Sequence, residues 1–471
     1  MATSYLDAID IIQSLAVQNS TNFAADGLSI PVKEAVGRVC KDNYYSLFST
    51  PSADTSAMDG YAVNSESTRG ASISSPVILC VKGTMAAGDA PLELSSGWED
   101  GFLLCTEIMT GAQFPASTSD MQFDACVRIE DTTPVCGRTS TKYVQIVKPV
   151  CKNQNRRFAG TDFRKKDLII PAGSAIRPHH VMAFASLGIN EVAVYQRPRI
   201  AVLSTGSELI DLGSHEKDNH IHDSNGPYIS AVLQEMGADV TNLGIIKDDY
   251  VEFENLMLEL CDASYDVIIT TGAVSKGKYD FIRRVIEAIG AKVLFHKVAI
   301  RPGHPVLFAT LPSRNKKEGD GSVLPGLQST AFFGLPGNPL AAASCFRFLV
   351  IPYLRSLHRQ LPEKALPARL DTMVTKIKRP EGPYASSQTT LKPSYLHVFW
   401  HGKLRFGLDG IKVHISSDQG SGKVRPLLAS NCWISVPQGK GSLDGDEVID
   451  TFPLYPDSLG SYITEEVNNL P

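Results

Sequence analysis

The sequence predicts a multidomain protein of the α/β plus β-rich class, and three observations carry that reading. Between residues 198 and 356, short apolar runs alternate with amphipathic helical stretches, the pattern of a doubly wound, mostly parallel sheet. From 48 to 160, β-type runs such as "SPVILCVKG" and "KYVQIVKPV" alternate with Gly, Pro, Ser and Thr turns, which predicts a β-rich inserted domain. From 357 to 471 the β pattern returns in "YLHVFW", "LRFGL", "IKVHI" and "CWISVP", which predicts a small β C-terminal domain. The remaining segments, 1–47 and 161–197, form an N-terminal or linker domain on either side of the insertion.

Each element has a local reason. Tyr5, Ile9, Ile12 and Ala16 recur at helical spacing, and Ser4 stands where a side-chain oxygen caps a first turn. "AIRPHHVMAFASLGINEVAVY" returns to helix and strand after the insertion. In the α/β region "RIAVLST" precedes "GSELI", and "DSNGPYISAVLQEMGA" leads into "DVTNLGII". "YDVIITTG" comes before "YDFIRRVIEAIGA" and "KVLFHKVAI", and "TAFFGLPGNP" comes before "LAAASCFRFLVIPYL". The polar, glycine-rich stretch between Leu311 and Thr330 reads as a surface excursion.

Composition narrows the function classes. Hydrophobic residues make up 43% and charged residues 20% of the 471, ordinary values for a globular protein with substantial cores. A net charge of -5 argues against nucleic-acid or acidic-membrane binding, so an anionic ligand must be met by local positive groups. The nine cysteines show no CxxC pair and read as reduced thiols. The N-terminus carries Asp7 and Asp10 with no basic run, and no apolar run is long enough for a bilayer. A cytoplasmic location is the expectation.

Three loops at the predicted carboxyl ends of strands share one design: Gly206-Ser207-Glu208, Gly272 to Gly277, and Pro336-Gly337-Asn338-Pro339. Glycine admits close approach of backbone N–H groups to a ligand, and a helix start adds donors and partial positive charge. Any one of these loops is more simply a tight βα turn. Three at one sheet edge point to an anion site. Glu208, Asp248 and Asp280 also follow predicted strands, and acids beside a phosphate call for a divalent cation such as Mg²⁺. Their alternative role is helix capping. "RPGHP" at 301–305 is a stiff turn carrying Arg301 and His304 between Pro302 and Pro305, suited to an oxyanion. Asp59-Gly60 and Thr110-Gly111 read by themselves as hairpin turns. His179-His180 and His220 with His222 have no third ligand at metal-site spacing.

The ordered motifs "TSAMDGYAV", "IMTGA", "AGTDF", "VLSTGSEL", "DSN", "TTGAVSKGKYDF", "RPGHP" and "LPGNPLAAA" resemble those of molybdopterin molybdenumtransferases over nearly the whole chain. The resemblance implies a homodimer whose cleft lies between the α/β domain of one subunit and the C-terminal domain of its partner. It implies binding of adenylylated molybdopterin, insertion of molybdate and release of AMP, with the adenylylated pterin supplied by a separate protein. It makes Asp280 the principal acid, with Asp248, Glu208 and Asp59 beside it and Mg²⁺ on Asp280 and Glu208. On the substrate-binding side it implies Thr110, Asp162, Gly206, Gly272, Ser275, Lys276, Arg301, His304, Pro305, Gly337, Asn338, His397 and Ser421.

The motifs depart from the family pattern at several of these positions. Ala273 stands where the family has a second glycine, Ser207 where it has an acid, Arg301 and His304 where it has lysines, and His397 where it has arginine. "SSDQGSGKVRPL" matches the family's serine motif loosely and leaves Ser421 as the nearest hydroxyl. Removing one cation from beside a molybdate dianion forfeits roughly 1.5–3 kcal/mol, the strength of a charge-assisted hydrogen bond. Histidine at 304 and 397 is therefore expected to make capture weaker and more pH-dependent. Two alternatives follow: a paralogue using the two imidazoles for acid–base chemistry on another substrate, or a non-catalytic scaffold.

Overall fold

The computed structural model describes residues 2–456 apart from 26, 100, 137–140, 215–219, 264, 275–280, 313–328, 372–394, 441, 442 and 444, and gives only the backbone of 21–25 and 136. The chain divides into two units: residues 1–42, 172–178 and 191–471, and residues 43–171 with 179–190.

The first unit is organised by a six-stranded sheet. Its order is Asp239–Ile246, Arg199–Thr205, Val267–Thr271, Thr330–Leu335, Leu307–Leu311, Lys292–His296. The first four strands are mutually parallel, and Leu307–Leu311 runs antiparallel to both of its neighbours. Strand alternation explains why both faces need cover. Ile200, Val202, Val267 and Ile269 face one core with Ile229 and Leu233 of helix Asn225–Glu235. Ala201, Leu203 and Ile268 face the other, with Phe253 and Met257 of Tyr250–Asp262 and Val285 of Ile282–Ala288. Near-continuous apolar strands are what a sheet buried on both faces requires. The doubly wound α/β reading thus describes this part of the molecule.

Helix Tyr5–Ala25 begins as its sequence dictates: Ser4 Oγ accepts the Asp7 N–H at 3.1 Å and donates to Asp7 Oδ2 at 2.6 Å. Its Ala8, Ile12 and Ala16 are fully buried in the first core. Against the expectation that no apolar run is long enough for a bilayer, Pro339–Leu357 has the length and composition to cross one, yet 83% of its most apolar window is buried inside the protein, as for a core helix.

The same unit carries a closed barrel. His397–Gly407, Gly410–Ile415, Leu366–Leu370, Val448–Pro453 and Cys432–Val436 pair in that order, and the last pairs back onto the first. Ile300–Arg301 of the α/β domain adds to its edge, Ile300 opposite His397 and Arg301 opposite Val398. Phe348 stacks on Phe399 at 3.8 Å between ring centres, joining the long helix to the barrel.

The second unit is β-rich. Its sheet runs Ala125–Arg128, Gly60–Val63, Phe102–Ile108, Val77–Met85, Lys142–Ile146, Thr132–Cys136, with Trp98–Glu99 folded back on Phe102–Ile108. Tyr61 and Val63 face one cluster and Ala62 the other, the two-residue period of a strand. The described cysteines are free thiols, and all but Cys151 are buried where their side chains are described.

Candidate active site

The carboxyl ends of four neighbouring parallel strands bring the glycine loops together. Gly206 N–H donates to Ile246 O at 3.2 Å and Gly272 N–H to Leu335 O at 3.0 Å, so each turn is fixed by the end of an adjacent strand. Gly272 has φ +96°, and a Cβ there would lie 2.3 Å from Thr205 O. No other residue fits. A Cβ on Gly337 would in turn lie 3.5 Å from the Gly272 Cα, so the second and third loops touch. Ala273 follows with φ +48°, a left-handed conformation that costs an L-residue roughly 1 kcal/mol. Ser275, Lys276 and Asp280 lie outside the described residues.

The Pro336-Gly337-Asn338 turn is held from two sides. Asn225 donates its side-chain amide to Gly337 O at 2.8 Å. From the barrel, Ser421 O accepts the Leu340 N–H at 2.9 Å, and Asn338 Nδ2 lies 3.5 Å from Ser421 Oγ. One first-turn donor of the helix is therefore already taken. The chain's own C-terminal domain meets this turn.

The acids sort by role. Ser207 N–H points at Asp248 Oδ2 and Asp248 N–H at Ser207 Oγ, both at 3.4 Å, a reciprocal pair across the ends of two strands. The Glu208 carboxylate folds over Gly206, within 2.9 Å of where a Cβ would stand. Burial pushes the Asp248 carboxyl up, and the Glu208 charge adds to the shift against the Ser207 N–H. Capping is the work of the next residue: Asp249 Oδ1 accepts the Glu252 N–H at 2.9 Å. Glu208 and Asp248 are thus left as two interacting carboxylates, and among the described residues no third acidic, histidine or cysteine side chain joins them as a metal-ligand group.

The "RPGHP" turn sits beside the barrel. Arg301 is exposed. Gly303 has φ +105°, and a Cβ would stand 2.3 Å from Cys345 Sγ, so its smallness serves packing against the long helix. His304 is half-buried and donates Nδ1–H to Val298 O at 2.7 Å. Pro305 is half-buried beside it.

His397 corrects an expectation. Sequence made it a pH-dependent cation toward an oxyanion. In the structure the ring lies against Tyr5 and Phe399, 4.6 and 4.7 Å between centres, with Nε2 2.8 Å from Ser435 Oγ. Burial lowers its pKa to about 4, so near neutrality this half-buried ring is uncharged.

The second unit holds the remaining predicted residues. Asp59 Oδ1 accepts the Thr110 N–H at 2.6 Å and its hydroxyl at 2.8 Å, which keeps the carboxyl below the usual range. Both are exposed, as is Asp162, whose N–H donates to Thr50 O at 3.0 Å. Asp54 takes Arg156 Nε at 2.8 Å, and the guanidinium lies over Phe114 and Phe158.

Sequence reasoning missed the polar layer beneath the rim: Ser204, Thr205, Asp223, Asn225 and Thr271. Thr205 donates to Thr271 O and Thr271 to Ser204 Oγ, both at 3.1 Å. Asp223 Oδ1 accepts the N–H groups of Asn225 and Gly226 at 3.0 and 3.2 Å. The "DSN" motif was the available signal, and its spacing gave no role.

Touching glycine turns and a reciprocal Ser207–Asp248 pair at the strand ends of a doubly wound sheet define an α/β protein whose loops meet where such sheets take ligands. Comparison with known proteins agrees. The family model described as "MoeA N-terminal region (domain I and II)" matches residues 3–188, and "Probable molybdopterin binding domain" matches 201–356. A molybdopterin molybdenumtransferase of Haemophilus influenzae is 31% identical over 423 residues, covering 90% of this chain and 93% of that protein. Its counterpart from Synechococcus elongatus is 28% identical, covering 94% and 97%. A crystal structure of a molybdopterin biosynthesis MoeA protein from Pyrococcus horikoshii superposes with TM-score 0.70 at 27% identity, covering 96% of this chain and 99% of that one. The chain belongs to the molybdopterin molybdenumtransferase family.

Proposed function

We propose that this protein inserts molybdate into adenylylated molybdopterin and releases AMP, completing the molybdenum cofactor. The observation that carries the reading is the contact of the Gly272 and Gly337 turns at the sheet edge, with Glu208 and Asp248 on the neighbouring strand ends. Backbone amides at such a rim receive phosphate without net positive charge on the protein. Glu208 and Asp248, joined by Asp280 through the family resemblance, would hold Mg²⁺. The ion would offset charge between carboxylates and pyrophosphate.

Arg301, exposed at the barrel edge, is the permanent cation available to molybdate on the "RPGHP" turn, with His304 three residues further on. The two-imidazole alternative loses force because His397 is engaged by Ser435 and two aromatic rings. A homodimer and a cytoplasmic setting with a separate adenylylating enzyme complete the proposal.

The test is AMP release from adenylylated molybdopterin. The expected result is release that depends on molybdate and is abolished by Asp280→Asn, together with restored molybdoenzyme activity in insertase-deficient cells. A folded protein that binds the substrate in neither condition and releases no AMP ends this reading.

A further inference from the structure

We propose that Asn225 is a positioning residue for the proposed reaction, holding the Gly337-Asn338 turn at the geometry that receives the pterin nucleotide's phosphates. The inference rests on the function proposed above for its substrate, but its structural half stands on geometry.

Asn225 is buried, 8% exposed, and its side-chain amide reaches Gly337 O at 2.8 Å across 112 residues of sequence. The residue is itself immobilised. Asp223, 6% exposed, accepts the backbone N–H of Asn225 at 3.0 Å and that of Gly226 at 3.2 Å. Asp223 Oδ2 and Ser204 Oγ crowd Gly226, within 2.6 and 3.1 Å of where a Cβ would stand. Ser204 Oγ receives Thr271 Oγ1, and Thr271 O receives Thr205 Oγ1. Two hydrogen-bonded groups, one among the strands that carry the first two glycine loops and one running from Asp223 through Asn225 to the third, thus meet around Gly226. Within them the Asn225 amide is the group that bonds directly to the turn. Ser421 O grips the same turn from the barrel through Leu340 N–H. Freeing Gly337 O would leave the amides of 337 and 338 fixed on one side only.

Two variants separate positioning from mere stability. Asn225→Ala removes the donor at every pH. Asn225→Asp is isosteric, and its carboxyl can donate to Gly337 O only when protonated. The Asp223 carboxylate, bonded to the same residue, disfavours a second negative charge there, so the introduced group regains its proton on mild acidification. The measurement is amide hydrogen exchange of segment 336–343, corrected for the intrinsic pH dependence of exchange, at pH 8 and pH 6. Strand Val267–Thr271 serves as the reference for global folding.

Expected for Asn225→Ala is exchange faster by about tenfold at both pH values, the factor for removal of one buried hydrogen bond. Asn225→Asp should match the alanine variant at pH 8 and approach wild type at pH 6. The KM for adenylylated molybdopterin should follow the same pattern, with kcat changed less. If the alanine variant does not fold, the isosteric one carries the test. Unchanged exchange in 336–343, or an Asn225→Asp effect that ignores pH, overturns the proposal. A wild-type protein that releases no AMP would defeat the functional reading alone, and the exchange result would still decide whether Asn225 anchors the turn.

Discussion

His397 Nε2 lies 2.8 Å from Ser435 Oγ while its ring packs against Tyr5, so a residue placed in the substrate site by motif matching instead fastens the N-terminal helix to the barrel. Its pKa, lowered from 6.5 to about 4 by burial, sets a sign. Between those values the unfolded chain binds a proton that the folded chain refuses, so stability is intact above about pH 6.5 and is lost as pH falls toward 4. His358, lowered to about 4, and His401, also lowered by burial, act in the same direction. Thermal unfolding from pH 8 to 5 should show Tm falling through this window, and His397→Phe should shallow the slope. An unchanged slope would mean that the ring is solvated.

The two residues at the tip of Val267–Thr271 should respond with opposite signs. Gly272→Ala places a methyl 2.3 Å from Thr205 O at φ +96° and should cost at least about 2 kcal/mol. Ala273→Gly relieves a left-handed alanine at φ +48° and should stabilise by about 1 kcal/mol. Denaturant midpoints at constant m-value give both numbers.

Gly303→Ala should destabilise by about 2 kcal/mol or more, because the methyl would meet the fully buried Cys345 Sγ. Adding Cys345→Ala removes the clash but not the strain of φ +105°. The double variant should therefore recover part of the stability. Full additivity of the two single effects in a double-mutant cycle would show that the sulfur is not the obstacle.

Ser207 stands beside Asp248 and Glu208 where the family pattern has an acid. Ser207→Asp should raise the negative charge of the proposed cation site and lower the Mg²⁺ concentration for half-maximal AMP release by about tenfold. Glu208→Gln should raise it. Equal Mg²⁺ titrations for all three proteins would remove the cation from these residues.

Much of this could be read from the chain. Alternating strand and helix texture, the capped helix at Ser4 and the β-rich stretches follow from periodicities of 3.6 and 2, which are local properties. The glycine loops were legible because a βα turn at a strand end is a short-range feature. Asp223 and Asn225 were visible as "DSN" but had no role, because the target of the Asn225 amide, Gly337 O, is 112 residues away.

The sequence alone therefore determined the element types, the doubly wound domain, the family and the glycine loops proposed to carry its chemistry. Tertiary structure decided which of those loops touch and which candidate side chains are withdrawn from the site. Gly337 meets Gly272, Ser421 reaches Leu340, and His397 is held half-buried by Tyr5, Phe399 and Ser435. The reason is physical. A residue's propensity is set by its neighbours in sequence, whereas burial, hydrogen-bond partners and protonation are set by groups that only the closed barrel and the packed helices bring within reach.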